Sequence, residues 1–184
     1  TGQRMKELKS GMTGFDNKFQ ADMGGARDMA FNQDGSLVGC AGITNVVNSF
    51  AGQQDPIICI VDWESKEITS HLRTKSNSPG VAWGVRFHPE GYVVGAMGNQ
   101  NGKGTVEFWS LTEAAPEESA EVKGDSAGCD GSEEAAVEEE KKPREIKPFH
   151  VVEVDKPVRG IDFTKDGRRF IVACSDGSLR VYQI

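Results

Sequence analysis

The sequence predicts an all-β protein assembled from repeated four-stranded antiparallel units, and three observations carry that prediction. Short runs of alternating apolar and polar residues, bounded by glycine-containing turns, dominate the chain, and no sustained helical periodicity interrupts them. An apolar alternation ending in Phe, with a turn glycine four residues on, recurs at Phe31/Gly35, Phe87/Gly91 and Phe163/Gly167. The composition, with 22 Gly and 7 Pro in 184 residues and 37% hydrophobic, suits one modest core and many turns.

The units follow in order. ARDMAFNQDGSLVGCAG (26–42) holds the first two strands of one unit, labelled a and b; PIICIVDW (56–63) and EITSHLR (67–73) supply its strands c and d. AWGVRFHPEGYVVGAMG (82–98), GTVEFWSL (104–111) and IKPFHVVEV (146–154) repeat the pattern. VRGIDFTKDGRRFIVACSDG (158–177) and GSLRVYQI (177–184) provide a, b and c of a third unit. The turn glycines lie 56 and 76 residues apart. That irregularity comes from two insertions, a long b–c loop over 44–55 and an acidic tract over 113–145. Without them both periods fall to about 40–45 residues, the length of a four-stranded propeller blade. The expected organisation is a d strand at 1–9, blades at 26–73 and 81–154, and a closing blade at 158–184 that lacks its own d strand.

The a-strand Phe with its "DG" or "EG" turn, the CSDGSLRVY hairpin and the opening TGQRMKEL resemble the WD-repeat β-propeller family. The resemblance covers all but 113–145. The Trp-Asp positions read Val61-Asp62, Trp109-Ser110 and Tyr182-Gln183, and no Gly-His dipeptide precedes strand a. The family's His–Asp hydrogen-bond network is therefore not expected, and blade stability should rest on packing. The resemblance implies a partial propeller, since propellers have four to eight blades. It further implies N-terminal blades of the same chain as packing partners.

Charge is segregated. The net charge is −7, yet residues 113–145 carry 12 of the 28 acids and only 4 of the 21 basic residues. That tract, rich in Glu, Ala and Gly, cannot bury enough apolar surface to offset its ordering entropy and is expected to be a disordered loop insertion. The remainder is nearly neutral and lacks the basic stripe nucleic acid requires, so no nucleic-acid partner is expected. No run reaches the ~20 apolar residues of a membrane helix, so no membrane partner is expected either. The four cysteines show no metal-ligand spacing and read as inert core thiols, which favours a reducing, cytoplasmic compartment. The segment before Thr1 leaves an export signal open.

No catalytic, cofactor or metal site is expected. GNQNGKGT (98–105) lacks the Gly and Ser/Thr positions of a phosphate-binding loop and reads as a hairpin turn. DSAGCDGSEE (125–134) lacks the oxygen ligands of a calcium loop. His71, His88 and His150 are dispersed and read as solvated surface histidines.

The candidate binding surface lies where the resemblance places it, on the face formed by d–a and b–c loops. Four residues before the a-strand phenylalanines stand Arg27, Trp83 and Arg159, residue types that make large, directional contacts. Packing between blades is the competing role, above all for Trp83. Phe15, Phe19 and Phe50 fall in two long loops, 10–25 and 43–56, expected to project on that face. The function expected is a noncatalytic scaffold that binds a protein or peptide. Two alternatives stand beside it: a regulatory or sensor propeller fused to an upstream catalytic or haem domain, and a propeller enzyme with a central-channel site.

Overall fold

Strand b of each unit is fully apolar or small (VGCAGI, VVGAMG, FIVAC), so each can be buried on both faces, and a sheet of this kind needs neighbours on both sides. A computed structural model describes residues 2, 7, 10, 12, 15–16, 20–22, 24–46, 54–75, 79–99, 102–112 and 142–184. The expected d strand at 1–9 apart from two positions, the acidic tract over 113–141, and Phe19 and Phe50 lie outside the described residues. Among the described residues fourteen strands are formed: β1 (Phe15–Asp16), β2 (Ala21–Asp22), β3 (Gly25–Phe31), β4 (Leu37–Thr44), β5 (Asp55–Asp62), β6 (Glu67–Arg73), β7 (Gly80–Phe87), β8 (Val93–Asn99), β9 (Gly104–Trp109), β10 (Arg144–Ile146), β11 (His150–Val154), β12 (Val158–Phe163), β13 (Arg169–Cys174) and β14 (Leu179–Gln183).

Three antiparallel sheets carry the fold: β3-β4-β5-β6, β7-β8-β9-β11 and β12-β13-β14. Each is a blade with strand a innermost, and β7 packs between β3 and β12. The a–b turns are made alike in all three. The N–H groups of Gly35, Gly91 and Gly167 donate to the carbonyls of Asn32, His88 and Thr164. All three glycines sit at positive φ (76°, 91° and 70°), a region other residues rarely adopt, which is why this turn recurs as "DG" or "EG".

Packing runs from the back of one blade to the front of the next. Ala41, Ile58, Ile60 and Leu72 of the first blade meet Val85, Val93, Met97 and Trp109 of the second. Val94, Ala96, Val106 and Phe108 on the second blade's back meet Val158, Ile161, Phe170 and Val172 of the third. Gly95 sits at the first seam, where a Cβ would lie 2.5 Å from Ile58 Cδ1 and 2.9 Å from the Trp109 ring. At the second seam the rings of Phe108, Phe163, Phe170 and Tyr182 form a continuous ladder. Such aromatic pairs add directional attraction to their burial. Packing thus occupies the place where a polar network was not expected.

Two expectations are corrected. The run 146–154 is not one d strand. Pro148 has no N–H to continue a ladder, and the run divides there: β11 is strand d on β9, whereas β10 pairs parallel with β6 of the preceding blade. Ile146 is buried at the first seam, and Glu145 pairs with Arg73 at 2.9 Å. The end of the acidic insertion is thereby a fifth strand that straps the first blade to the second. His88 is not a solvated surface residue. It is buried, with Nε2 2.9 Å from the Gly167 carbonyl, and its ring stacks on Tyr92. The Glu90 N–H donates to Nδ1, so Nε2 carries the proton and donates to Gly167, joining the a–b turns of two blades. His71 is half-buried with Nε2 unpartnered, and His150 is exposed.

Blade faces without a neighbouring blade are open in part among the described residues. Phe87 and Phe163 pack on the preceding blade; their counterpart Phe31 is 55% exposed, with its ring edge-on to that of Trp63. Leu179 and Val181 on the third blade's back are 68% and 66% exposed. Gly95→Ala should destabilise the protein by about 1–3 kcal/mol through overpacking of the first seam. A urea unfolding midpoint unchanged from the parent would contradict that packing.

Candidate functional site

Successive antiparallel strands alternate in direction, so the d–a and b–c connections share one face and the a–b and c–d connections share the other. On the d–a/b–c face every a strand has the same irregularity. The ladder skips one residue near the strand's start: Arg27 between Ala26 and Asp28, Trp83 between Ala82 and Gly84, Arg159 between Val158 and Gly160. These are β-bulges, which leave one residue unpaired and re-aim its side chain. Three residues chosen from sequence by their offset from Phe are therefore the three bulge residues.

Trp83 and Arg159 are brought together directly. The Arg159 guanidinium carbon lies 4.5 Å from the centroid of the Trp83 ring, a cation–π stack across the second seam. The indole packs against Ile43, Val46 and Val81, so the first blade supports a side chain of the second that carries a side chain of the third. Gly98 makes the room; a Cβ there would stand 3.0 Å from Trp83 Nε1. Trp83 is half-buried with its Nε1 unpartnered, while Arg27 and Arg159 are exposed. Phe15 is exposed in the two-stranded β1-β2 ribbon. The loop before it does not wholly project: Met12 is buried against Ile57 and Cys59 on the first blade's outer face, and Cys59 Sγ donates to the Ser10 carbonyl. Burial pushes the Cys59 thiol up to about 12 and raises that of Cys40, which keeps both protonated and unreactive at neutral pH.

A charged network beneath the bulges was missed in the sequence. Arg86 of β7 bonds Asp28 of β3 at 2.6 Å and Asp162 of β12 at 3.3 Å, linking the innermost strands of all three blades. Asp28 also accepts the Val85 N–H. Arg86 and Asp162 each stand one residue before their a-strand Phe and Asp28 stands three before its own, so the repeat alignment equates the first two without announcing a contact between blades. The inner strands hence carry more charge than Arg27 and Arg159, but it is paired structurally. Glu107, fully buried in β9, accepts the Lys75 N–H at 3.1 Å and the Thr105 hydroxyl at 2.9 Å, tying the d–a connection to the second blade.

The opposite face holds two shallow clefts at the seam of the first two blades. One of about 310 Å³ is lined by Ile60, Thr69 and Arg144, and one of about 400 Å³ by Asn32, Phe87 and His88; Leu37 and Leu111 border both. They sit where the acidic insertion leaves at Thr112 and returns at Lys142. Among the described residues no three His, Cys, Asp or Glu side chains form a metal-binding group.

Burial raises the Glu107 carboxyl above its usual range. A raised folded-state value stabilises the fold below the unfolded value, and that contribution is lost as pH rises through the folded one. Glu107→Gln, which keeps both hydrogen bonds, should therefore improve stability relative to the parent more at pH 7 than at pH 4. Equal effects at the two pH values would contradict it.

A family model described as "WD domain, G-beta repeat" matches residues 146–183. No curated protein matches the chain. Among solved structures, the β-propeller domain of Cps50 (Swd1) from Myceliophteria thermophila is similar, with 16% identity and a TM-score of 0.49, over 86% of this chain and 36% of that one. The chain thus spans about a third of that propeller's length. The matched stretch takes strand d from the second blade (β11) and a, b and c from the third (β12–β14), a repeat staggered by one strand against the blades. Residues 146–183 thus match a WD-repeat model, within a chain whose described residues fold as successive antiparallel sheets.

Proposed function

We propose that the chain is a noncatalytic interaction module that binds a protein or peptide on the d–a/b–c face, through the bulge residues Arg27, Trp83 and Arg159. Propellers of this repeat are protein-interaction scaffolds as a rule, and fold alone does not fix the face or partner. The observation that carries the reading is the bulge at one equivalent position in all three a strands, with Trp83 and Arg159 stacked there. A purely structural role would not need arginine at two exposed, ladderless positions. The charged groups that do converge are one cation, Arg86, shared between Asp28 and Asp162, and Arg86 and Asp28 are partly buried, which supports a structural role for them. The open faces carrying Phe31 and Trp63 on one side and Leu179 and Val181 on the other support packing against further blades of the same plan. The protected thiols support a reducing, cytoplasmic setting.

Affinity capture of cellular partners on the chain, followed by charge reversal of Arg27 and Arg159 together, tests the face. Capture should be lost while the circular dichroism spectrum and melting temperature are kept. Capture that survives this change but disappears with Leu37→Asp would transfer the function to the clefts on the opposite face.

A further inference from the structure

Among the described residues, three arginines of this chain sit in ion pairs, and the two on the d–a/b–c face do not. Arg73, Arg86 and Arg180 are partly buried, and each faces carboxylates: Glu145, then Asp28 and Asp162, then Asp155 and Asp176. Arg27 and Arg159 have no carboxylate partner among the described residues, although Asp155 and Asp176 lie on connections of the same face. Both of those acids are engaged by Arg180.

Arg159 is moreover held in place. Its guanidinium is stacked on Trp83, which is itself fixed by Ile43, Val46 and Val81. With its central carbon over the ring, the Arg159 guanidinium fork makes no hydrogen bond or ion pair among the described residues. That fork matches the paired oxygens of a carboxylate or phosphate, and prior immobilisation lowers the entropy lost on binding. Lysine could supply the charge but neither the stack nor the fork.

We infer that the Trp83–Arg159 pair is an oxyanion-reading subsite, which takes a carboxylate or phosphate side chain of an extended acidic peptide, with Arg27 adding a second cation on the first blade. This rests on the d–a/b–c face as the binding face and adds the partner's chemistry. The peptide's anion docks edge-on to Arg159 beside the exposed edge of the indole.

The test uses the whole chain and three fluorescein-labelled peptides of one Gly/Ala framework, carrying paired glutamates, paired glutamines or paired phosphoserines. Anisotropy reads the affinity, and the Trp83 indole N–H resonance reports the place. The glutamate or the phosphoserine peptide should bind and shift the Trp83 signal, and the glutamine peptide should not; whichever anion binds tighter identifies the source. Arg159→Ala should weaken binding about tenfold or more, and Arg159→Lys should recover only part of it. Binding should weaken several-fold between about 50 and about 300 mM salt. Equal binding of the glutamate and glutamine peptides, with Trp83 shifted, would overturn the oxyanion subsite while leaving the face intact. Binding that ignores Arg159 and leaves Trp83 unmoved would overturn both. Failure of all three peptides to bind at millimolar concentration would overturn the subsite.

Discussion

The rest of the structure depends on one constraint: a four-stranded blade with two apolar faces can bury neither by itself. Each b strand is hydrogen-bonded on both edges within its sheet, so its stability is decided by what covers its faces. The solution is a front-to-back fit in which a large side chain of one blade enters space left by a small residue of the next. Ile58 against Gly95 and Val85 against Gly39 show this at the first seam. Leu, Ile or Val at those glycine positions would raise strand propensity and prevent the blades from meeting. Apolar burial at about 25 cal/mol per Å² is the main driving term at such seams, and the ring ladder between the second and third blades adds orientation to it.

The seams also explain the polar devices and the candidate site. His88 crosses from one a–b turn to the next, Arg86 crosses three inner strands, and β10 crosses from the acidic insertion to the first blade's outer edge. Each fixes one blade's position relative to another, at the bottom, the centre and the outside respectively. At the top the same task falls to Trp83, which lies between blades and carries Arg159. A residue can thus be structural underneath and available above, and the two roles weighed for Trp83 in the sequence are not exclusive. The residue that the ladder skips lies at the start of each innermost strand, exposed for Arg27 and Arg159 and half-buried for Trp83.

Much of this was legible from residues alone. Phe31, Phe87 and Phe163 with their turn glycines mark the repeat because the turn demands positive φ and the Phe demands a seam. The bulge positions followed from the offset to those phenylalanines, although nothing in the residues announces a bulge; Arg, Trp and Arg are simply poor strand-core residues at a position otherwise apolar. What stayed hidden was long-range. Arg86 reaches Asp162 across 76 residues, and His88 reaches Gly167 across 79, so His88 read as a solvated surface group and Arg86 was not singled out. The strap at β10 was hidden by its shortness. Arg144 and Glu145 read as the end of the acidic tract and Ile146 as the start of the following strand, and only Ile146, buried beneath the neighbouring blade, distinguishes them.

Native-state amide hydrogen exchange tests the central constraint most directly. Strands β4, β8 and β13 occupy the same place in their sheets and are hydrogen-bonded on both edges, but only β8 has a blade on each face. If face coverage governs stability, amides in β8 will exchange most slowly and those in β13 faster, with β4 between or alongside it. Equal protection of all three strands, or slowest exchange in β13, would show that hydrogen bonding within each blade holds the structure and that the seams do not.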